Sequence, residues 1–336
     1  PIHAWGEIYT GISAKDYMDG TSNFYGVHSV TLYVDSVQVF NSTTDKVLPD
    51  ENRMINGFTD YEELTRTRRL IMRSYKLPGN RLRLLHTNEN RGAVTIDEER
   101  DYHFRYVLED NFGNRRTYQF IVRGKRQDIP EYKPEANEML YWNRTNVIQK
   151  PGMELVVPRY YVYEDVPLRT DMRGDSSHIA FDYILDAGRT PIHSYCDLSI
   201  GLRHMPVADT TKYYIVQKAG KWRSSMGGKY ANGWIKTRVR SLGTFSVDVD
   251  TIAPQITPIG QGGWRTSRNI RFRIKDMESG IGSYKVYIDG KFVLFGLKKG
   301  ILVIQDPEKV KKGVPHKLEV TVTDQCGNMA RKEYKF

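Results

Sequence analysis

The stretch "VTVTDQCGN" (320–328) ends with Asp, two further residues, Gly and Asn, and the earlier stretch "YVLEDNFGN" (106–114) ends in the same way. Apolar residues at every second position precede both endings. These are Phe104, Tyr106 and Leu108 in the first copy and Leu318, Val320 and Val322 in the second. Alternation of this kind predicts a β-strand with one buried face. A second alternating stretch follows each ending, so both regions are predicted to be β-hairpins.

The shared ending is interpreted as turn chemistry. An Asp side chain can accept hydrogen bonds from the turn backbone, and Gly and Asn tolerate the positive φ that tight turns require. Calcium binding at these Asp-rich turns is the alternative, but the regular acidic spacing of a calcium loop is absent. The predicted structural turn residues are Asp110, Gly113, Asn114, Asp324, Gly327 and Asn328.

The repeat extends upstream of both hairpins. "YGVHSVTLYVDS" (25–36) aligns with "SGIGSYKVYIDG" (279–290), and each leads through a short turn into a further apolar stretch. Two hairpins at matching positions predict a duplicated immunoglobulin-like β-sandwich. The first copy differs by a predicted helical insertion at about 59–75, where Thr59 and Glu62 have capping-box spacing.

The predicted fold class is therefore all-β, with tandem immunoglobulin-like β-sandwich domains and one short helical insertion in the first. At 336 residues the chain is long enough for two or three domains. The predicted boundaries are 1–125 for the first sandwich, 126–138 for a polar linker, 139–252 for a β-rich middle domain and 253–336 for the second copy.

Charge and composition limit the partners. The formal net charge is +10, and residues 255–336 contain 16 Lys and Arg against 8 Asp and Glu. This excess can attract anionic polymers, although a solvated basic surface is the simpler interpretation. No nucleic-acid motif is recognisable, and no apolar stretch is long enough for a membrane span. The candidate anionic contacts are Lys298, Lys299, Lys309, Lys311 and Lys312.

The chain shows little sign of catalytic chemistry. His193 and Asp197 have the His-x-x-x-Asp spacing of some zinc peptidases, but one such pair arises easily by chance and no His-x-His accompanies it. We therefore predict no catalytic residue, no metal ligand and no cofactor. Cys196 and Cys326 are expected to be free, buried thiols.

Two aromatic clusters could contact sugars, although strands and cores also favour aromatic residues. They occur in "RYYVYED" (159–165) and "GKYANGW" (228–234). The candidate glycan contacts are Tyr160, Tyr161, Tyr163, Tyr230 and Trp234.

Several long stretches resemble one known family. They are "AWGEIYTGISAKDYMDGTSNFYGVHSVTLYVD" (4–35), "DENRMINGFTDYEE" (50–63), "GAVTIDEERDYHFRYVLEDNFGN" (92–114) and "GGKYANGWIKTRVRSLGTFSVDVDTIAP" (227–254). Together they resemble the region downstream of the catalytic domain in lysostaphin-type (LytM-type) zinc metallopeptidases of Bacteroidetes, which cleave peptidoglycan cross-links. The resemblance implies a periplasmic or surface location, and a zinc-containing peptidase domain upstream of Pro1 as a partner.

The leading functional expectation is a non-catalytic accessory region that positions the upstream peptidase at the cell envelope, where it contacts peptidoglycan or another anionic polymer. The chain itself is not expected to be an enzyme. The alternative is a surface glycan-binding or adhesion array of β-sandwiches.

Overall fold

The computed structural model describes residues 2–17, 20, 22–131 and 133–336. Strands dominate this part of the chain, as predicted, and the all-β class is confirmed. Every sheet draws its strands from one of three consecutive groups, here called the first module (β1–β12), the middle domain (β13–β23) and the last module (β24–β31).

The elements follow in chain order. The first module contains β1 (Ile2–Ala4), β2 (Gly6–Ile8), β3 (Gly11–Ile12), β4 (Asp16–Tyr17), β5 (Phe24–Tyr25), β6 (Ser29–Val34), β7 (Val37–Thr43), α1 (Ile55–Phe58), α2 (Tyr61–Thr67), β8 (Met72–Arg73), β9 (Leu85–Thr87), β10 (Val94–Ile96), β11 (Asp101–Glu109) and β12 (Arg115–Gly124). The middle domain contains β13 (Glu138–Leu140), β14 (Asn146–Lys150), β15 (Met153–Val157), β16 (Val166–Arg173), β17 (Asp182–Asp186), β18 (Cys196–Gly201), β19 (Tyr213–Ala219), β20 (Trp222–Ser225), β21 (Lys229–Ala231), β22 (Trp234–Val239) and β23 (Gly243–Val249). The last module contains β24 (Gln255–Ile259), α3 (Trp264–Ser267), β25 (Arg271–Lys275), β26 (Ile281–Ile288), β27 (Lys291–Phe292), β28 (Phe295–Lys298), β29 (Ile301–Ile304), β30 (Lys317–Asp324) and β31 (Met329–Lys335).

The first and last modules each contain a copy of the same four-stranded antiparallel arrangement. The strand order β7-β6-β11-β12 in the first module corresponds to β27-β26-β30-β31 in the last. The register is also the same, since Val34 pairs with Phe104 as Ile288 pairs with Leu318. The buried positions in these strands are the ones that the alternating pattern predicts.

The turn between the first two strands of this sheet is also repeated. Asp35 and Asp289 both have φ of 50° at the hairpin turn. Each carboxylate accepts a hydrogen bond from a backbone N–H within the first three residues of the neighbouring strand, at 2.8 Å from His103 and 2.9 Å from Lys317. The repeated Asp therefore joins the turn to the adjacent strand in both copies.

The opposite sheets of the two modules differ. In the last module the second sheet has four strands, in the order β24-β25-β29-β28. In the described part of the first module the remaining strands form only the short pairs β2–β10, β3–β8 and β4–β5. The sequence repeat covers only the shared sheet, so the similarity is closest there.

The helical insertion is shorter than the predicted 59–75. Helix α2 begins after Asp60, whose side chain accepts a hydrogen bond from the N–H of Glu63 at 3.0 Å, and it ends at Arg68 in the left-handed conformation. The predicted capping box of Thr59 and Glu62 is therefore wrong by one residue. Thr59 instead caps the C-terminus of the preceding helix α1, which the sequence pattern did not predict.

Three hydrophobic cores correspond to the three groups of strands. The middle domain packs its sheets of six and five strands around the largest of these cores. Trp264, at 0% exposure, lies at the centre of the last module against Phe272, Tyr334 and Phe336. Cys196 and Cys326 are free and buried, as expected. No helix in the described ranges is long and apolar enough to span a bilayer.

Candidate functional site

The two predicted turn motifs adopt the same structure. Asp110 Oδ1 accepts hydrogen bonds from the N–H groups of Phe112 at 2.8 Å and Asn114 at 2.9 Å. Asp324 Oδ1 accepts the equivalent bonds from Cys326 and Asn328, both at 2.8 Å. Both glycines have positive φ, 84° at Gly113 and 79° at Gly327. The turn interpretation therefore describes both corners.

The surroundings of the two corners differ. In the first module the corner projects into solvent, and Phe112 is 91% exposed. In the last module the equivalent residue, Cys326, packs on Tyr214 and Val216 of the middle domain. Asn328 also donates a hydrogen bond to the backbone oxygen of Asp250 at 2.9 Å, so this corner forms part of an interface.

His193 and Asp197 do not form a metal site. His193 is half-buried, and its Nδ1 lies 3.0 Å from the hydroxyl of Tyr163. Burial lowers the pKa of His193, and the nearby charge of Arg53 lowers it further. Asp197 lies on strand β18 with its side chain exposed. The histidine belongs to the contact between the first module and the middle domain.

The cluster of Tyr160, Tyr161 and Tyr163 lies at this same contact. Tyr163 is 3% exposed and packs in the core of the first module, so it is a buried anchor and not a surface for glycans. The ring of Tyr160 has the guanidinium groups of Arg81 and Arg159 at 4.5 and 4.4 Å from its centroid. Tyr161 is half-buried and meets the ring of His193 edge-on.

Tyr230 and Trp234 do not form one platform. Tyr230 lies opposite Ile235, and Trp234 lies opposite Ala231, in the pairing of β21 with β22. Because neighbouring positions of a strand point to opposite faces, the two aromatic side chains lie on opposite sides of the sheet. The most exposed Trp or Tyr in the described residues is Trp222, at 81%, which the sequence interpretation did not select.

The five candidate lysines are exposed, but they are divided between two places. Lys298 and Lys299 lie at the turn between β28 and β29. Lys309, Lys311 and Lys312 follow the other end of that hairpin, and Lys309 pairs with Asp306 at 2.6 Å. The structure therefore separates them into two small basic groups.

An open cleft lies between the first module and the middle domain. Its volume is about 890 Å³. Tyr61, at the start of α2, and Arg73 line it from the first module, and the segment 163–167 and the loop 186–191 line it from the middle domain. Apolar rings are contributed by Pro134, Pro167 and Pro191.

Charged groups of both signs face each other in this cleft. The guanidinium of Arg73 lies 3.9 Å from the carboxylate of Glu164, and Arg169 pairs with Asp186 at 3.0 Å. Partial burial raises the pKa of Glu164, an effect that the positive charge of Arg73 opposes. The cleft therefore presents carboxylates and guanidinium groups beside aromatic and proline rings.

Tyr163 holds the two walls of the cleft together. Its hydroxyl donates a hydrogen bond to the backbone oxygen of Arg53 at 2.8 Å, and its own carbonyl accepts one from the N–H of Gly79 at 2.6 Å. Arg53 donates in return to the backbone oxygen of Ile192 at 3.1 Å. No local sequence signal could have indicated this cleft, because its walls are about 100 residues apart in the chain.

Comparison with known proteins assigns only part of the chain. Residues 137–250 match the family described as "Zu5-like domain". This segment corresponds closely to the middle domain and covers about a third of the chain. No curated protein shows significant sequence similarity to the chain.

Three solved structures with partial similarity to the chain are distant from it in sequence. One describes a Ca²⁺-stabilised adhesin with which an Antarctic bacterium binds ice, with 10% identity, 99% of this chain and 94% of that chain covered, and a TM-score of 0.18. Another concerns a bacterial ice-binding adhesin of 1.5 MDa, with 10% identity, 93% of this chain and 86% of that chain covered, and a TM-score of 0.16. A third is the Bacteroides ovatus protein SGBP-B in complex with a mixed-linkage heptasaccharide, with 10% identity, 92% and 59% coverage and a TM-score of 0.16. Likeness at this level does not identify a function.

Proposed function

We propose that this chain is a non-catalytic glycan-binding or adhesion region of an exported protein, and that the cleft between the first module and the middle domain contacts the glycan. The observation that carries the proposal is the composition of this cleft. Sugar hydroxyls are both donors and acceptors, so they can pair with guanidinium groups and with carboxylates. Aromatic and proline rings offer apolar surface to the C–H faces of a sugar.

The groups in the cleft have distinct roles in this proposal. Arg169 and Asp186 form an exposed ion pair. Because such a pair is weak, both side chains can form hydrogen bonds to sugar hydroxyls in place of some of those to each other. Glu164 is the acceptor nearest the buried wall, with Arg73 beside it. Tyr61 supplies the aromatic contact at the rim. Since the two walls belong to different domains, the angle between them sets the shape of the site.

Targeting to peptidoglycan is the second candidate function, in keeping with the resemblance to the region downstream of LytM-type peptidases. The observation that favours it is the exposure of Lys298, Lys299, Lys311 and Lys312 on the last module. Exposed lysines attract an anionic wall polymer, and salt weakens that attraction. This function places the contact on the last module and not in the cleft.

A binding experiment with matched variants tests the proposal. The chain is titrated with soluble neutral polysaccharides and sedimented with purified peptidoglycan, at low and high salt. We expect salt-insensitive glycan binding that falls at least about 10-fold in Tyr61→Ala and in Arg169→Ala, because each removes a cleft contact. Tyr118→Ala is the control, since Tyr118 is an exposed tyrosine of the first module outside the cleft.

The outcomes separate the candidates. Equal loss of binding in Tyr61→Ala and Tyr118→Ala would exclude the cleft as the site. Salt-sensitive binding to peptidoglycan that Lys298→Glu weakens and Arg169→Ala does not would support the second candidate. Failure of every glycan to bind would contradict both.

A further inference from the structure

Three carboxylates meet where the middle domain joins the last module. Asp250 follows the final strand of the middle domain, Asp276 follows β25, and Asp324 ends β30. One carboxylate oxygen from each lies within 4.8 Å of the others. Asp250 is 0% exposed and Asp324 is 4% exposed, whereas Asp276 is partly buried. Residues far apart in sequence thus form one acidic cluster at a domain junction.

The negative charge of this cluster has no cationic counterpart. In the described part of the chain no lysine, arginine or histidine forms an ion pair with any of the three residues. The amino group of Lys212, which also lies at this junction, donates to the backbone oxygen of Cys326 at 3.0 Å. Closely spaced carboxylates repel one another strongly when water is excluded.

The local backbone is arranged to keep the carboxylates in place. The N–H of Ser279 donates to Asp250 Oδ2 at 3.0 Å, and the N–H of Gly280 donates to Asp276 Oδ2 at 2.7 Å. The Asn328 side chain donates to Asp324 Oδ2 at 2.8 Å. These neutral donors orient the carboxylate groups but do not neutralise their charge.

The hydroxyl of Ser279 is an independent sign of a missing ligand. Ser279 is 0% exposed, and its Oγ has no nitrogen or oxygen hydrogen-bond partner in the described residues; the thiol of Cys326 lies beside it. The N–H of Ser279 donates to Asp250 and the N–H of Cys326 donates to Asp324, so this hydroxyl lies next to residues that contact two members of the acidic cluster. A buried hydroxyl without a partner is costly, and a bound ion or water is the usual explanation.

We propose that Asp250, Asp276 and Asp324 bind a calcium ion, with the hydroxyl of Ser279 as a neutral oxygen beside it. Calcium takes oxygen ligands in flexible geometry, and carboxylates and hydroxyls meet that requirement. Zinc is disfavoured because the described cluster offers no histidine. The ion would link the end of the middle domain to two loops of the last module, so calcium would make this junction rigid.

Titration of the chelator-treated full chain with CaCl₂ tests this proposal without any glycan. We expect calorimetry to show one site with a Kd below about 1 mM, the range of extracellular calcium modules. Calcium should also raise the melting temperature of the last module by several degrees, because it binds only the folded junction. Small-angle X-ray scattering should show less variation in the domain arrangement with calcium than with chelator.

Two variants form a matched pair. Asp276→Asn keeps an acceptor for its backbone donors but removes a charge, and we expect it to weaken calcium binding at least about 10-fold. Asp110→Asn changes the equivalent turn motif of the first module, at an exposed corner, and should leave calcium affinity unchanged. Ser279→Ala should weaken calcium binding by a smaller factor, and it replaces Asp276→Asn as the test variant if Asp276→Asn fails to fold.

Several results would overturn the proposal. One is the absence of calcium binding up to about 5 mM, a concentration above the range of known protein sites. Another is a melting temperature that is the same in calcium and in chelator. A third is an equal loss of calcium affinity in Asp276→Asn and Asp110→Asn. Binding of Mg²⁺ or Zn²⁺ in preference to Ca²⁺ would overturn the choice of ion. None of these results depends on the cleft, so the proposed glycan function stands or falls separately.

Discussion

Truncation of Tyr163 should uncouple the first module from the middle domain. This side chain belongs by sequence to the middle domain, but it packs in the core of the first module at 3% exposure. It fits closely there, since a Cβ atom added to Gly57 would lie 2.7 Å from the ring. Its hydroxyl also pairs with the backbone oxygen of Arg53 at 2.8 Å.

The expected magnitude has two parts. Tyr163→Phe removes only the hydroxyl and leaves the carbonyl of Arg53 without this donor, which costs about 1–3 kcal/mol of unfolding free energy. Tyr163→Ala also removes the buried ring and leaves a cavity, so the total cost is about 3–5 kcal/mol. The loss should fall on the first module and its contact with the middle domain, because the packing and hydrogen bonds of Tyr163 lie there.

Urea unfolding followed by circular dichroism, with calorimetry to resolve the separate transitions, measures both effects. Phe112→Ala is the control: Phe112 is 91% exposed, and its loss should change stability by less than about 0.5 kcal/mol. A cost below about 1 kcal/mol for Tyr163→Ala, given the cavity cost expected of a buried aromatic, would refute the assignment of Tyr163 as the anchor. Destabilisation confined to the last module would refute it as well.

Three further predictions concern single sites. Gly79→Ala should lower the free energy of unfolding by about 1–3 kcal/mol, because the new Cβ would lie 2.9 Å from a backbone oxygen of the middle domain. Gly262→Ala is the control: its Cβ would lie in open space, so urea unfolding should show little change in stability. Trp264→Ala should lower the free energy of unfolding of the last module by about 3–5 kcal/mol in calorimetry, and an unchanged transition would contradict its central position. Burial lowers the pKa of His316, but hydrogen bonds to Asp289 and a backbone oxygen outweigh this and raise it. The resulting stabilisation is complete below about pH 6.5 and is lost as the pH rises through the raised pKa, so His316→Gln should reduce the pH dependence of the melting temperature.

The local sequence patterns predicted in detail the four-stranded arrangement that occurs in both modules. Alternation around Tyr106 and Val320 reflects a period of two with one buried face, which a single strand already contains. The turn motif ending in Asn114 or Asn328 depends on bonds within five residues. Helix α2 was predicted less well, because Thr59 and Asp60 are both acceptable N-caps and packing chose between them.

The candidate site could not be predicted in the same way. The sequence places Tyr163 among the candidate glycan contacts, and only the tertiary structure shows it in the core of another domain. Tyr230 and Trp234 are close in sequence, but the pairing of β21 with β22 directs them to opposite faces. The second sheet of the first module also departs from that of the last, since the repeated sequence does not extend to its strands.

The amino-acid sequence by itself determined the all-β class, the two equivalent hairpins and the turn chemistry at their corners, because these depend on interactions between residues near each other in the chain. Only the tertiary structure decided which of the two equivalent corners became an interface. Asp324 lies buried beside Asp250 and Asp276, whereas Asp110 is only partly buried and the rest of its turn is exposed. The difference arises from the neighbouring domain that covers one corner and not the other, and a motif of five residues contains no information about that neighbour.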